Sequence, residues 1–419
     1  MGLTMKEKQA VTRQMAEEYT QSTKKHKGEI LDTVTKLTGY NRSYAARVLR
    51  RRARPIILGR TTVNGREVTL VADGRTGPHM KKRRRRKTYG KDVLVALQKV
   101  WVICDGICGK RLAPYLKEIV PVLERLGELP LDEETRRKLI GISPATIDRM
   151  LAPMRKRYQL RARSQTKPGT LLKHQIPIRT FADWDELRPG FVEIDLVSHE
   201  GGNARGDYVY TLDATDVCTG WTETEAVRNR SQMYVFDGLE KALGRFPFAI
   251  CGIDSDNGSE FINNHLVRYC TEKEITFTRS RPYRKNDNCF VEQKNYSIVR
   301  RAVGYRRYDT PAELEALNEL YATLRLFTNY FQPSMKLIEK TRVGSKVRKK
   351  YDKAKTPYHR VLESRAVPKG VKQELERKYA MLNPVKLGRE ISRRQDQIDA
   401  LARAKIDAQE EANLEYIPT

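Results

Sequence analysis

The 419-residue sequence lacks long apolar runs, contains few cysteines and has far fewer acidic than basic residues. No apolar stretch reaches the length of about 18 residues that a membrane helix needs, and the N-terminus lacks the apolar core of a signal peptide. The six cysteines do not show the spacing of a secreted disulfide framework. We therefore expect a cytoplasmic, multidomain protein with reduced thiols and no membrane partner.

Positive charge is the most prominent feature that the sequence does contain. There are 80 Lys and Arg against 52 Asp and Glu, which gives a formal net charge of +28. Lys and Arg outnumber Asp and Glu by 41 to 16 over residues 1–180 and by 30 to 18 over residues 281–419, whereas residues 181–280 contain 9 against 18. The basic ends indicate a polyanionic partner, nucleic acid first. The acidic centre would repel that partner unless its carboxylates hold cations.

Two helices are predicted within residues 27–52, separated at Thr38-Gly39-Tyr40. The second is strongly basic, which is typical of a DNA-recognition helix, and its DNA-binding candidates are Arg42, Arg47, Arg50 and Arg51. An ordinary helical hairpin with solvated arginines is the alternative.

A run of seven consecutive cations follows at residues 81–87. Such a run should not pack, and two compatible interpretations are a solvated linker and an arm that lies along DNA phosphates or in a minor groove. Its DNA-binding candidates are Lys81, Lys82, Arg83, Arg84, Arg85 and Arg86. Residues 92–157 return to helical periodicity, and Ser143-Pro144 begins a helix that suggests a second helix-turn-helix. Residues 161–180 contain no acidic residue and are predicted to be an extended basic linker.

The periodicity changes to that of an α/β domain after residue 190. Strands are predicted at 191–198, 207–215, 220–227, 248–254 and 275–280, and helices at 231–246, 263–273 and 289–304. Three strands followed by alternating helices and strands is the element order of a ribonuclease H-like fold with a five-stranded mixed sheet.

Acidic residues fall on three core elements of this domain. Asp195 lies on the first strand, Asp254 and Asp256 end the fourth strand, and Glu292 lies in the first turn of the last helix. Hard oxygen ligands suit Mg²⁺, and two such ions can promote phosphodiester chemistry. Strand geometry does not distinguish Asp254 from Asp256, because both point to the same side of an extended chain.

The sequence around these acids resembles the DDE transposases of bacterial insertion sequences and the retroviral integrases. The resemblance covers roughly residues 191–337 and is carried by Asp195, "DNGSEF" at 256–261, "RPYRKNDNCFVE" at 281–292, "TGW" at 219–221 and "NYFQPSMKL" at 329–337. In that family the second aspartate directly precedes Asn-Gly, and 35 residues lie between it and the glutamate, a spacing that Asp256 and Glu292 match. The Asn-Gly pair also suits a turn that places Asp256 at the end of its strand.

The resemblance implies that Asp195, Asp256 and Glu292 are both the catalytic residues and the ligands of two Mg²⁺ ions, with Mn²⁺ as a substitute. It further implies that the protein is a transposase, a polynucleotidyl transferase that cleaves element ends and transfers them into target DNA. Its partners would be double-stranded DNA, both terminal inverted repeats and target, bound by a homodimer or higher oligomer in the bacterial nucleoid. An integrase-like nuclease without strand transfer, and an inert DNA-binding regulator, are the alternatives.

The sequence also departs from the family pattern. The basic residue that often lies seven residues after the glutamate is Val299 here, so Lys294, Arg300 and Arg301 are the substitute DNA-binding candidates. Gln332 and Ser334 replace an Arg and a His of the C-terminal motif. The retroviral zinc motif is absent, because Cys104 and Cys108 have no suitable pair of histidines.

The C-terminal region is predicted to be basic and mostly helical. Residues 341–360 combine Lys and Arg with two tyrosines, which suits phosphate contact and stacking, although a solvated tail is equally consistent with them. Beyond Val371 a helical pattern, broken at Pro384, has a weak apolar stripe suited to pairing subunits.

The predicted organisation is an α/β, ribonuclease H-like catalytic core preceded by all-α helix-turn-helix domains. In order, it has a helix-turn-helix domain (1–75), a basic linker (76–91), a second helical DNA-binding domain (92–160), a linker (161–185), the catalytic domain (186–337) and the C-terminal region (338–419).

Overall fold

The computed structural model describes residues 3–52, 56–63, 66–72, 88–157, 188–255, 260–261, 264–279, 289–343 and 346–415. The chain divides into two compact units, Met1–Lys87 and Thr88–Thr419. No helix among the described residues is long and apolar enough to cross a membrane.

The first unit contains three helices and a hairpin: α1 (Met5–Gln21), α2 (Lys24–Thr38), α3 (Arg42–Arg52), β1 (Ile56–Val63) and β2 (Arg66–Ala72). The break predicted between the second and third helices occurs at Gly39, whose φ of 67° is the left-handed conformation that glycine adopts readily. Asn41 begins α3 by accepting the Ser43 N–H at 2.9 Å. Helix α1 was not predicted, although Thr4 and Glu7 form a capping box at its start. Assignment of this unit to DNA binding stays a prediction.

The second unit begins with a helical region of four elements: α4 (Lys91–Ile103), α5 (Gly109–Arg125), α6 (Glu133–Ile140) and α7 (Pro144–Arg157). Helix α7 begins at Pro144 as predicted, with the Ser143 hydroxyl accepting the Thr146 N–H. Buried apolar side chains of this helical region and of the sheet that follows belong to one core. The region therefore packs directly against the sheet domain.

The sheet has the five strands that the sequence predicts: β3 (Phe191–Ser198), β4 (Tyr210–Asp216), β5 (Thr222–Val227), β6 (Gly252–Ser255) and β7 (Thr276–Arg279). Their spatial order is β5-β4-β3-β6-β7; β3, β4 and β5 pair antiparallel, and β3, β6 and β7 pair parallel. A side chain at residue 252 would place its Cβ 2.1 Å from the Phe191 ring, so glycine there leaves room for that ring. The mixed five-stranded sheet confirms the predicted ribonuclease H-like core.

Helices cover this sheet and extend beyond it. They are α8 (Gln232–Leu243), α9 (Asn264–Glu272), α10 (Cys289–Lys294), a π-helical segment (Asn295–Arg300), α11 (Arg301–Val303) and α12 (Pro311–Phe331). The π-helical segment interrupts what the sequence predicts as one continuous helix over 289–304. Such wide turns occur frequently at functional sites.

The C-terminal region contains a hairpin and three helices: β8 (Leu337–Val343), β9 (Lys346–Tyr351), α13 (Pro357–Glu363), α14 (Lys369–Met381) and α15 (Pro384–Glu415). Helix α15 packs along α12 in the same chain, with Ile398 and Ala402 buried and Lys405 bonded to Glu313 at 2.8 Å. The apolar stripe that suggested subunit pairing is thus used within the chain.

Candidate active site

Helix α10 and the π-helical segment lie along strand β3 and are held to it at three places. Near the start of the strand, the Glu193 carboxylate accepts the N–H groups of Phe290 and Val291 at 2.9 and 2.8 Å. Asp195 accepts from the Asn295 side chain at 2.6 Å, and the Ser198 carbonyl oxygen accepts from the Arg300 guanidinium at 2.8 Å. The helix that carries Glu292 is therefore fixed in register with the strand that carries Asp195.

Asp195 is a half-buried carboxylate with a defined orientation. One oxygen accepts the Asn295 amide N–H, and the other accepts the Leu196 backbone N–H at 2.8 Å. Asn295 follows Glu292 by three residues, which places both on neighbouring parts of one helical surface. The same short segment thus supplies Glu292 and the group that orients Asp195.

Glu292 is exposed in the first turn of α10, and Glu193 anchors the start of that helix from the interior. A carboxylate at this end of a helix meets unpaired N–H groups, as an N-terminal cap does. Burial raises the pKa of Glu193 well above its usual value, the two backbone hydrogen bonds oppose that rise, and the nearby Asp254 and Glu292 add to it. Glu193 therefore lies within electrostatic reach of both acids.

Asp254 is buried inside the sheet. It pairs in register with Glu193 on one side and with Thr278 on the other, and the Thr278 hydroxyl donates to it at 2.5 Å. The strand pairing and the hydrogen bond from Thr278 fix the Asp254 side chain within the sheet. Asp256, which the family spacing selects, lies outside the described residues, so its catalytic role stays a prediction.

Two ionisable side chains near Asp195, the buried Asp213 and the half-buried Lys294, have strongly shifted pKa values. Asp213 pairs with Asp195 in the antiparallel register of β3 and β4. Burial raises the pKa of Asp213 to about 8, and Lys294 opposes this shift. Burial likewise lowers the pKa of Lys294 to about 8, with Asp213 opposing that shift. The Lys294 ammonium donates to the Gly220 carbonyl oxygen at 3.3 Å, so this predicted DNA-binding residue is turned toward the protein interior.

The other predicted substitutes for the family's basic residue also make contacts within the chain. Arg300 bonds to the end of β3, as described above, and Arg301 bonds to Asp105 at 2.8 Å. Arg301 is therefore at the junction between the helical region and the sheet domain. A DNA contact by Arg300 would compete with the bond that holds its own helix to the strand.

The predicted DNA-binding residues of α3 lie on the surface of the first unit. The described contacts are Arg42 with Asp32, the Arg47 guanidinium over the Tyr44 ring, and Arg50 with the Ala46 carbonyl oxygen. The Arg51 side chain and the whole of 81–86 lie outside the described residues.

The described donor atoms suit a hard divalent cation. Asp195 and Glu292 provide carboxylate oxygens, which Mg²⁺ prefers, and Asn295 orients the Asp195 carboxylate through its amide. No group of three candidate metal ligands occurs among the residues that the structure describes, and the proposed third ligand, Asp256, is outside them. The residues present fit the metal that the sequence predicts.

Four residues that frame this site were not identified as such from the sequence. Glu193 lies two positions before Asp195 and therefore on the same face of the strand, and Asn295 lies three positions after Glu292. Both of these spacings could have been recognised in the sequence. The electrostatic influence of Asp213 and Lys294 on each other depends on how β4 and α10 are placed in the fold, and no local sequence pattern predicts it.

Comparison with known proteins agrees with this architecture. The family model described as "Integrase core domain" matches residues 186–285, which include all five strands of the sheet. The uncharacterized protein y4rM of Sinorhizobium fredii (strain NBRC 101917 / NGR234) is 40% identical over 336 residues, which are 80% of this chain and 89% of that protein.

Two solved structures show weaker similarity. The catalytic core domain of BIV integrase is 17% identical, with a TM-score of 0.29, over 42% of this chain and 94% of that chain. The HTLV-2 integrase catalytic core domain, in complex with magnesium in a dimeric form, is 13% identical, with a TM-score of 0.27, over 35% of this chain and 92% of that chain.

Proposed function

The chain belongs to the same family as y4rM of Sinorhizobium fredii and contains an integrase core domain, and from this premise we propose that it is the transposase of a bacterial insertion sequence. An integrase core indicates a polynucleotidyl transferase that acts in DNA recombination. The finer proposal is that the protein cleaves DNA at the ends of its element and joins those ends to target DNA. It would act on the nucleoid as a dimer or higher oligomer.

The observation that supports this proposal most strongly is the attachment of the Glu292 helix to the Asp195 strand. Glu193 and Asn295 hold the helix and the strand in register, so the position of Glu292 relative to Asp195 is fixed. Catalysis of phosphoryl transfer depends mainly on such positioning and on charge stabilisation.

Asp195, Asp256 and Glu292 are the proposed ligands of two Mg²⁺ ions, which Mn²⁺ can replace. When bound, such ions supply activation of the attacking oxygen and stabilisation of the leaving one. The chain itself contributes orientation: Asn295 holds the Asp195 carboxylate, and Glu193 holds the first turn of α10.

The proposed activity consists of two successive reactions. Water first attacks a phosphodiester at the element's end and leaves a free 3′-hydroxyl. That hydroxyl then attacks a phosphodiester of the target, which joins the two DNAs and releases a target 3′-hydroxyl. No covalent bond between protein and DNA forms in either step.

The test begins with a search for inverted repeats in the DNA on either side of the gene, and the substrate is a duplex that carries them. With Mg²⁺, the wild-type protein should cleave this duplex and join a pre-cleaved end to target DNA. Glu292→Gln should lose both activities and still bind DNA. Glu240→Gln, which removes an exposed carboxylate on α8, should retain both activities and serves as the matched control.

The alternatives give different results in the same assay. Cleavage without joining of the pre-cleaved end would indicate a nuclease and would contradict the transposase assignment. Cleavage that persists unchanged in Glu292→Gln would exclude the proposed carboxylates. Binding without either reaction would indicate a DNA-binding regulator.

A further inference from the structure

The hairpin of β8 and β9 is an exposed ribbon. Its antiparallel register runs from Leu337 opposite Tyr351 to Val343 opposite Lys346. Every described side chain from residue 338 onward in the two strands is exposed, including the apolar or aromatic Ile338, Val347 and Tyr351. A two-stranded hairpin is at best marginally stable on its own in water, so a ribbon with both faces exposed is suited to contact with another molecule.

The ribbon has a strong positive charge. Residues 337–351 contain six Lys and Arg and a single acid, Glu339. Arg348, Lys349 and Lys350 are consecutive and exposed, and none of them forms an ion pair with a described residue. Because neighbouring strand residues point to opposite faces, these three place positive charge on both sides of the ribbon. A polyanion would relieve the repulsion among these charges.

The base of the ribbon is firmly held. Lys336 and Asp352 are joined by two hydrogen bonds, from the Lys336 N–H to the Asp352 carboxylate at 2.6 Å and from the Asp352 N–H to the Lys336 carbonyl at 2.9 Å. Arg360 bonds to the same carboxylate at 2.6 Å. Ser334 and Lys355 exchange backbone hydrogen bonds at 2.8 and 3.1 Å. The ribbon is therefore an outward extension of a fixed base.

This base adjoins the candidate active site through a single turn of the sheet domain. The Lys336 ammonium donates to the Cys218 carbonyl oxygen at 2.5 Å. Two residues later in that turn, Gly220 accepts from Lys294, which lies two residues after Glu292 on α10. The base of the ribbon is thus linked, through the turn at residues 218–220, to the helix that carries Glu292.

We propose that the hairpin 337–351 is a DNA-binding ribbon that contacts the phosphates of a duplex next to the bond being cut, irrespective of sequence. This inference rests on the proposed function, since that function supplies the polyanion. A two-stranded ribbon has the width that the major groove admits. Seven residues at about 3.3 Å each span roughly 23 Å, which corresponds to about seven base pairs at 3.4 Å per step.

The first experiment measures DNA binding by the full chain with Arg348, Lys349 and Lys350 all changed to Gln. Binding is followed by fluorescence anisotropy at several NaCl concentrations in EDTA, so that no cleavage occurs. The logarithm of the association constant falls with the logarithm of the salt concentration, and each lost phosphate contact makes this negative slope shallower by about 0.9. The slope of the triple variant should therefore be shallower by about 2 to 3. Terminal-repeat and unrelated duplexes should be affected equally.

A matched variant controls for the change in overall charge. Arg365, Lys369 and Arg377 are exposed cations outside the ribbon, and changing all three to Gln removes the same charge. Their replacement should leave the salt slope within about 0.5 of the wild type, because they are not the proposed phosphate contacts. Circular dichroism confirms that both triple variants are folded.

A second readout locates the contact. Hydroxyl-radical footprinting of a duplex that carries one terminal repeat, on which the rest of the protein takes a fixed position, should show about seven protected base pairs that the wild type and the control variant share and the ribbon variant loses. Equal salt slopes and equal footprints for the two triple variants would overturn the ribbon proposal while leaving the transposase assignment intact. Failure of the wild-type protein to bind any duplex would instead refute the proposed function.

Discussion

Replacing Glu193 by alanine should raise the Mg²⁺ concentration that cleavage requires, while most of the stability of the fold is retained. Glu193 is fully buried and is the acceptor for the N–H groups of Phe290 and Val291, at the start of the helix that carries Glu292. Without that acceptor, the first turn of α10 loses its attachment to β3. Glu292 then keeps its chemical identity but loses its defined position.

The size of the stability change depends on how deeply the two N–H donors are buried. Val291 is fully buried, so its unpaired N–H should cost about 1–3 kcal/mol of the free energy of unfolding. Phe290 is half-buried, and its N–H can turn to water. Removing the repulsion that Glu193 has with Asp254 and Glu292 offsets part of this cost. Loss of a group that orients a metal ligand typically reduces metal affinity or activity by about 10- to 100-fold.

The assay titrates Mg²⁺ in the cleavage reaction and measures urea unfolding in parallel. Glu193→Ala should need about 10- to 100-fold more Mg²⁺ for half-maximal cleavage. Glu193→Gln retains a carbonyl oxygen as acceptor and should stay within about threefold of wild type, which is roughly 0.6 kcal/mol. Ile194→Val, on the same strand, should lower stability by about 0.5–1.5 kcal/mol and leave the Mg²⁺ dependence unchanged.

Two results would refute this reasoning. A wild-type Mg²⁺ dependence in Glu193→Ala would show that the attachment does not position Glu292. A Gln variant as impaired as the Ala variant would show that the charge of Glu193, and not its hydrogen bonds, is what matters.

Three further predictions concern individual side chains. Asp256→Asn should abolish Mg²⁺-dependent cleavage while Asp254→Asn, which keeps an acceptor oxygen inside the sheet, should retain most of it; the reverse pattern would move the metal site two residues upstream. Burial lowers the pKa of His199 to about 3, so only the unfolded chain gains a proton there as the pH falls below about 6.5. Stability should therefore decline toward pH 3 by up to ~1.4 kcal/mol per unit, and urea titrations of His199→Asn should show a flatter decline; equal slopes would argue against a neutral buried ring. Burial raises the pKa of Cys104 to about 12, whereas Cys108 is exposed, so peptide mapping after a brief maleimide treatment should find label on Cys108 and none on Cys104 in the native protein.

The order and type of elements in the sheet domain could be predicted because local patterns are strong there. Alternating residues specify β3 to β5, and helical spacing specifies α8. In the first unit, the break at Gly39 likewise marks the end of α2. The β8–β9 hairpin was not predicted, because a run rich in Lys and Arg has no alternation of apolar and polar residues. Its strands are defined by backbone pairing across the turn and by the anchoring of their base.

The predicted subunit pairing through the apolar stripe of α15 illustrates a different limit of prediction from sequence. An amphipathic helix shows that one face will be covered, but it does not say by what. The structure places α12 of the same chain against that face, with Arg394 bonded to Glu319 and Lys405 to Glu313. The choice between partners within and between chains depends on complementary charges that are more than 70 residues away in sequence.

The sequence by itself predicted the fold of the core and suggested the proposed chemistry, because charge, the spacing of Asp256 and Glu292, and strand periodicity can all be read along the chain. Only the tertiary structure decided how Asp195 and the Glu292 helix are held together. Glu193 and Asn295 make that connection across nearly 100 residues of chain. These hydrogen bonds form only after folding has brought β3 beside α10, so no local sequence pattern could specify them.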